Sequence, residues 1–125
     1  EINLPELTGG SSAASLTQSQ LEVVVRKTGI EIFFPAGVLV KSIPLLENKQ
    51  HDFNTLSLAL RSIKEQVSEK KDVVILSSTD LPYQTLVTTM DTVKSYQTVV
   101  VASLAEVELF PEISLGDASK GKKGK

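Results

Sequence analysis

The spacing of apolar and polar positions changes several times along the chain, and each change marks an element. Leu21, Val23 and Val25 alternate with Glu22, Val24 and Arg26, and after the turn chemistry of Lys27-Thr28-Gly29 a second extended run follows at Ile30-Glu31-Ile32-Phe33-Phe34. Two such runs about a short glycine-containing loop predict an antiparallel hairpin over 21–34. Pro35-Ala36-Gly37 breaks it, residues 38–43 read as a third short extended piece, and a polar connector runs from Pro44 to His51. The period then lengthens. Leu56, Ala59, Leu60, Ile63 and Val67 recur at three- and four-residue spacing, the stripe of a one-sided helix. Asp52 or Asn54 supplies its cap, and Glu69-Lys70-Lys71 its end, where lysines meet the negative pole of the helix dipole.

Val73-Val74-Ile75-Leu76 is a continuous apolar run rich in β-branched residues, as in a strand covered on both faces. Ser77 to Asp80 offer capping side chains, and Pro82 falls where a first helical turn tolerates it. Tyr83, Leu86, Val87, Met90 and Val93 form the stripe of a second helix, and Thr98 to Ala102 completes a strand–helix–strand unit. The order predicts an α+β, two-layer fold: one small mixed sheet, an N-terminal hairpin followed by αβαβ, and two helices packed on one face. Glu106 to Leu109 alternates as an edge strand that Phe110-Pro111 stops, and no fixed structure is expected beyond Leu115-Gly116. The expected organisation is therefore a linker over 1–20, a domain over 21–109, and an extension with a basic, disordered tail over 110–125.

Composition narrows the function classes. The 125 residues are 41% hydrophobic and 22% charged, enough apolar material for a real core in one domain of ordinary size. There is no cysteine, which removes thiolate chemistry, zinc ribbons and disulfides together. Four of the thirteen Lys and Arg fall in the last six residues, so positions 1–119 carry six more acids than bases. An acidic body with scattered aromatics is not a nucleic-acid binder. No stretch approaches the roughly 20 apolar residues of a membrane-spanning helix. The first residue is Glu1 rather than methionine, from which we expect a piece of a longer protein with an anchoring or targeting segment upstream.

Candidate chemistry is sparse. No acidic residues cluster at a ligand-like spacing, so neither a metal site nor a carboxylate pair is assigned. Asp80 reads as a cap, and Asp91 lies three turns from it. Ser77-Ser78-Thr79 lacks the Gly-x-Ser-x-Gly elbow, and no glycine set forms a phosphate cradle. The single histidine, His51, sits in the polar connector and reads as a solvent-facing loop residue. No catalytic residue and no cofactor is expected.

Two segments together resemble the periplasmic part of the ExbD/TolR family of biopolymer-transport stator subunits. Ile2-Asn3-Leu4-Pro5 is similar to the hydrophobic-x-Leu-Pro motif just outside that family's single membrane helix. The strand from Asp72, followed by Tyr83-Gln84-Thr85-Leu86-Val87-Thr88-Thr89-Met90-Asp91-Thr92-Val93, is similar to the family's Tyr-x-x-Leu-(x)3-Met-Asp helix. The likeness covers residues 1–105. Departures fall at Ser78 and Asp80, where an aspartate is displaced, near Tyr96-Gln97, where a glycine is replaced, and over Val107 to Asp117, which runs past the usual ending.

The resemblance implies the periplasmic domain of a single-pass inner-membrane protein, driven by proton motive force. The ion-carrying aspartate would lie in the membrane helix, outside this chain. Implied partners are a second copy of the chain, a channel-forming subunit of the ExbB/TolQ type, and a TonB/TolA-like or motility client. Ile2, Leu4 and Pro5 are the expected docking motif: extended and stiffened at the exit, they suit addition as a strand to an open sheet edge. Tyr83, Leu86, Met90 and Asp91 are the family-motif positions. The alternative is a peptidoglycan- or ligand-binding anchoring domain, which requires a concave polar site that the sequence does not display. A small hydrolase would need an oriented base, against which the one-histidine inventory argues.

Overall fold

The computed structural model describes residues 19–100 and 103–118. Seven strands and two helices follow in the order β1 (Glu22–Arg26), β2 (Gly29–Phe33), β3 (Leu39–Pro44), α1 (Phe53–Gln66), β4 (Asp72–Ser77), α2 (Tyr83–Lys94), β5 (Ser95–Val100), β6 (Ser103–Glu108) and β7 (Glu112–Asp117). Five of the strands form one mixed sheet, β3-β2-β1-β4-β7, and β5-β6 is a separate hairpin. The fold is α+β, as the order of apolar runs predicts.

Alternation dictates the layers. β1 pairs antiparallel with β2, Val23 opposite Ile32 and Val25 opposite Ile30, and parallel with β4, Val23 beside Ile75. Those side chains share one face, which the stripe of α1 covers with Leu56, Ala59, Leu60 and Ile63, while α2 adds Val93, Leu86 and Met90. Fully burying an aliphatic side chain contributes about 1.5–3 kcal/mol, so this one layer contact dominates the stability of the domain.

Local signals fix the ends. Asp52 caps α1, its carboxylate accepting from the Thr55 amide at 3.1 Å and the Thr55 hydroxyl at 2.7 Å. The helix stops at Gln66, a few residues short of the Glu69-Lys71 end expected, because Val67, whose amide makes the last helical bond to Ile63 O, takes non-helical backbone angles (φ −132°, ψ 60°). At the start of α2 the expected caps are not used: Pro82 holds the N-cap position, without a side-chain hydrogen bond. Asp80 lies instead 3.8 Å from Lys27 in an exposed pair, a geometry worth little in water.

Two expectations are corrected by the C-terminal third. Residues 98–100 do not complete the strand–helix–strand unit, because β5 follows Lys94 without a turn and pairs with β6 rather than β4, while 101–102 of that expectation lie outside the described residues. A chain that leaves a helix with no loop cannot reverse to lie parallel to the strand before it. The hairpin supplies the reversal. Leu109 and Phe110, both buried, bring the chain back to the foot of α2 through amide bonds to Lys94 O (2.8 Å) and Val93 O (2.9 Å). The Glu112 amide then donates to Lys71 O, and β7 runs parallel to β4 from Asp72 beside Glu112 to Ser77 beside Asp117. The order therefore persists through Ala118, beyond the Leu115-Gly116 limit expected, and part of the predicted extension is a strand of the main sheet.

Candidate functional site: chain entry, motif helix and sheet edges

Residues 19–21 lead into β1, the central strand. Their anchor is Lys70, whose side chain has no exposed area; its ammonium donates to the Ser19 carbonyl at 2.5 Å and to Asp72 Oδ1 at 3.0 Å. A buried ammonium is strongly unfavourable unless its hydrogen bonds are made, so this contact fixes where the chain enters the domain. The Leu21 carbonyl continues the attachment by accepting from the Val74 amide at 2.9 Å. Lys64 closes the same corner: its ammonium donates to Lys70 O and stands 4.9 Å from the Phe110 ring centre. Burial holds the Lys64 pKa below the usual lysine value, an effect that Glu108 opposes and Lys71 reinforces. From its sequence neighbours Lys70 has only the role of a solvated helix-end lysine, since nothing local marks it as buried.

The motif helix divides its four residues between two environments. Leu86 and Met90 pack against the core, whereas Asp91 is exposed and Tyr83 is 79% exposed. The apolar spacing places Tyr83 in the buried stripe, and the structure corrects this. Tyr83 occupies the first helical position, and helical side chains tilt toward the N-terminus, so its ring projects past the region the sheet covers. Thr89, which no apolar pattern selects, is fully buried and satisfies its hydroxyl on Thr85 O at 2.8 Å.

Asp91 borders an open groove of about 460 Å³ between the start of α1, the end of α2 and the β5-β6 hairpin, where Asn54, Ser57, Tyr96, Gln97 and Glu106 also line the wall. Arg61 lies 3.8 Å over the Tyr96 ring and holds that wall against α1, and Ser95 donates to Glu106 at 2.6 Å. This open surface is assembled from residues 53–57, 91–97 and 106, most of them polar, and of its members sequence motifs point to Asp91 alone. His51, expected to face solvent, is half-buried: its Nε2 lies 2.6 Å from Arg26 O, so the ring donates there and ties the connector to the hairpin turn. Ile2, Leu4 and Pro5 lie outside the described residues. Among the described residues no three His, Asp or Glu side chains converge as a metal site, and no helix is long and apolar enough to cross a membrane.

These features define a small α+β module entered at its central strand, with its family-motif helix half turned to solvent. The model of the family described as biopolymer transport protein ExbD/TolR matches residues 1–106, and the chain belongs to that family. It is a family of transport subunits rather than enzymes. No curated protein and no solved structure matches the chain.

Proposed function

We propose that this chain is the periplasmic domain of a stator subunit that dimerises and couples inner-membrane ion flow, driven by the proton motive force, to a cell-envelope client. Family membership supports the class of function. The observation that carries the coupling role is the chain entry: a displacement of Ser19 passes through Lys70 and Leu21 into β1, which is hydrogen-bonded on both sides and sits at the centre of the core sheet. A pull delivered there moves the whole domain rather than peeling an edge strand. Tyr83 and Asp91, both exposed on the motif helix, are positions for contact with partner proteins.

The test is co-purification. Full-length protein, with its native upstream sequence, is expected to be recovered with a channel-forming subunit of the ExbB/TolQ type when the two are expressed together. Recovery of the chain alone, from membranes in which both are present, overturns the reading. For the Leu-Pro motif, the proposal is that Ile2, Leu4 and Pro5 dock as an added strand and release when the stator moves. Backbone NMR of the 125-residue chain is expected to show extended, non-random shifts at residues 2–5. Random-coil shifts there, with the rest of the spectrum unchanged by deleting those residues, remove it.

A further inference from the structure

An open groove of about 510 Å³ runs between the edge strand β3 and one flank of α1. Lys41 forms its strand side, and Thr55, Leu58, Ser62 and Glu65, at helical spacing, form its helix side. Leu58 stands 49% exposed in that wall. Lys41 is half-buried opposite it, yet forms an ion pair with no acid among the described residues. The place where the chain enters the domain decides what can reach this groove. Ser19 O is held by Lys70, which follows the end of α1 and stands 6.0 Å from the ring of Phe34, at the start of the turn between β2 and β3. The residues before Ser19 therefore leave the domain at the end of the groove where α1 finishes and β3 begins. Thirteen residues join Pro5 to Ser19 and can span up to about 45 Å, whereas β3 lies two strand spacings, about 10 Å, from β1.

We propose that the segment Ile2-Asn3-Leu4-Pro5 docks in this groove of its own chain, antiparallel to β3. This rests on the Leu-Pro docking reading above and gives it a seat. Connectivity sets the direction. β3 runs the same way as β1, away from the chain entry, so a segment whose end returns to Ser19 by the short way runs opposite to it. Period-two alternation puts Ile2, Leu4 and Glu6 on one face. With that face turned toward α1, Glu6 meets Lys41 near the entry end, and Leu4 and Ile2 lie against Leu58 and Thr55 further along. The exposed leucine is then covered, and the lysine gains its counter-charge. β3 accepts only a short guest, because its register with β2 shifts between Ile32 and Phe33 and Pro44 ends it. Four residues closed by Pro5 fit that limit, and the amide that proline lacks discourages a further strand from adding in turn.

Amide NMR of the 125-residue chain tests the seat. Leu58 in the groove and Leu115 on the other edge strand, β7, are 49% and 56% exposed, so either can be replaced without opening the core. Leu58→Asp is expected to return residues 2–5 to random-coil shifts while the signals of β1 and β2 stay in place, and Leu115→Asp to leave residues 2–5 unchanged. Lys41→Glu is expected to free the segment as well, and Glu6→Lys in that background to restore it. Docked shifts that survive both Leu58→Asp and Lys41→Glu, or that Leu115→Asp alone abolishes, overturn the seat and leave the docking reading intact. Docked shifts that give way to random coil on dilution of the unmodified chain assign the segment to a second copy and also overturn the proposal. Random-coil shifts at residues 2–5 of the unmodified chain at every concentration overturn both the seat and the docking reading.

Discussion

Replacing Phe110 by alanine is expected to destabilise the domain by about 3–5 kcal/mol, the range for deleting a fully buried aromatic side chain. Phe110 has no exposed surface and is among the largest side chains of the core. Its ring lies under the Lys64 ammonium, and its amide is bonded to Val93 O. It therefore closes the β5-β6 hairpin onto the foot of α2 and sets the start of β7, so the cavity left by alanine lies at a junction where the backbone is held on two sides. Domains of this size have a total stability of about 5–15 kcal/mol, so the loss is a large share of it. Urea unfolding followed by circular dichroism is expected to show a lower midpoint with an unchanged slope. A loss below about 1 kcal/mol would mean that the segment after the family match is a dispensable extension.

That residue also marks where sequence reading stops being sufficient. The hairpin, the α1 stripe from Leu56 to Val67, and β4 are legible because each is specified within its own ten or fifteen residues: alternation for the hairpin, helical spacing for α1, an uninterrupted β-branched run for β4. Asp52 is legible as a cap for the same reason. β7 is not. Its Glu-Ile-Ser-Leu-Gly-Asp composition buries little of its own surface, and its place in the sheet is set by the preceding hairpin and by pairing with β4 forty positions earlier, a long-range partner that no local period encodes. Thr98 to Ala102 misleads for the converse reason, since an apolar run before a turn suits a hairpin as well as a covered strand. At the site, Leu86 and Met90 are readable from spacing, and Tyr83 is misplaced because spacing does not register that a helix begins beyond the sheet. Lys70 and the Asp91 groove depend wholly on tertiary neighbours: a lysine two residues before an aspartate near a helix end is ordinary on a surface, and only the packing of Ser19 and Phe34 around it makes it a buried anchor.

Gly29→Val is expected to be at least as damaging as the loss of Phe110, by a different mechanism. Gly29 begins β2 with a φ of +145°, a conformation that L side chains rarely adopt, and a Cβ placed there would lie 2.6 Å from Ile43 O and 3.3 Å from Pro44 Cα. Both neighbours are backbone atoms of β3, so no rotamer change relieves the contact. Strain of this kind costs on the order of 1–3 kcal/mol before any displacement is counted. The displacement adds to it, because Gly29 is paired with Pro44 and Ile30 with Ile43, and moving β3 away withdraws Val40 and Ile43 from the core. Gly37→Ala is the comparison that separates the two contributions. Gly37 also has a positive φ, +89°, but nothing lies within 4 Å of the point where an alanine Cβ would stand. Only the conformational part, on the order of 1–3 kcal/mol, is therefore expected there. Equal losses of urea midpoint in the two variants would mean that β3 yields without cost. A much larger loss for Gly29→Val, accompanied by association of the variant at low denaturant, would show that displacing β3 uncovers the flat β2 edge that its bulge, Lys41 and Pro44 otherwise shield.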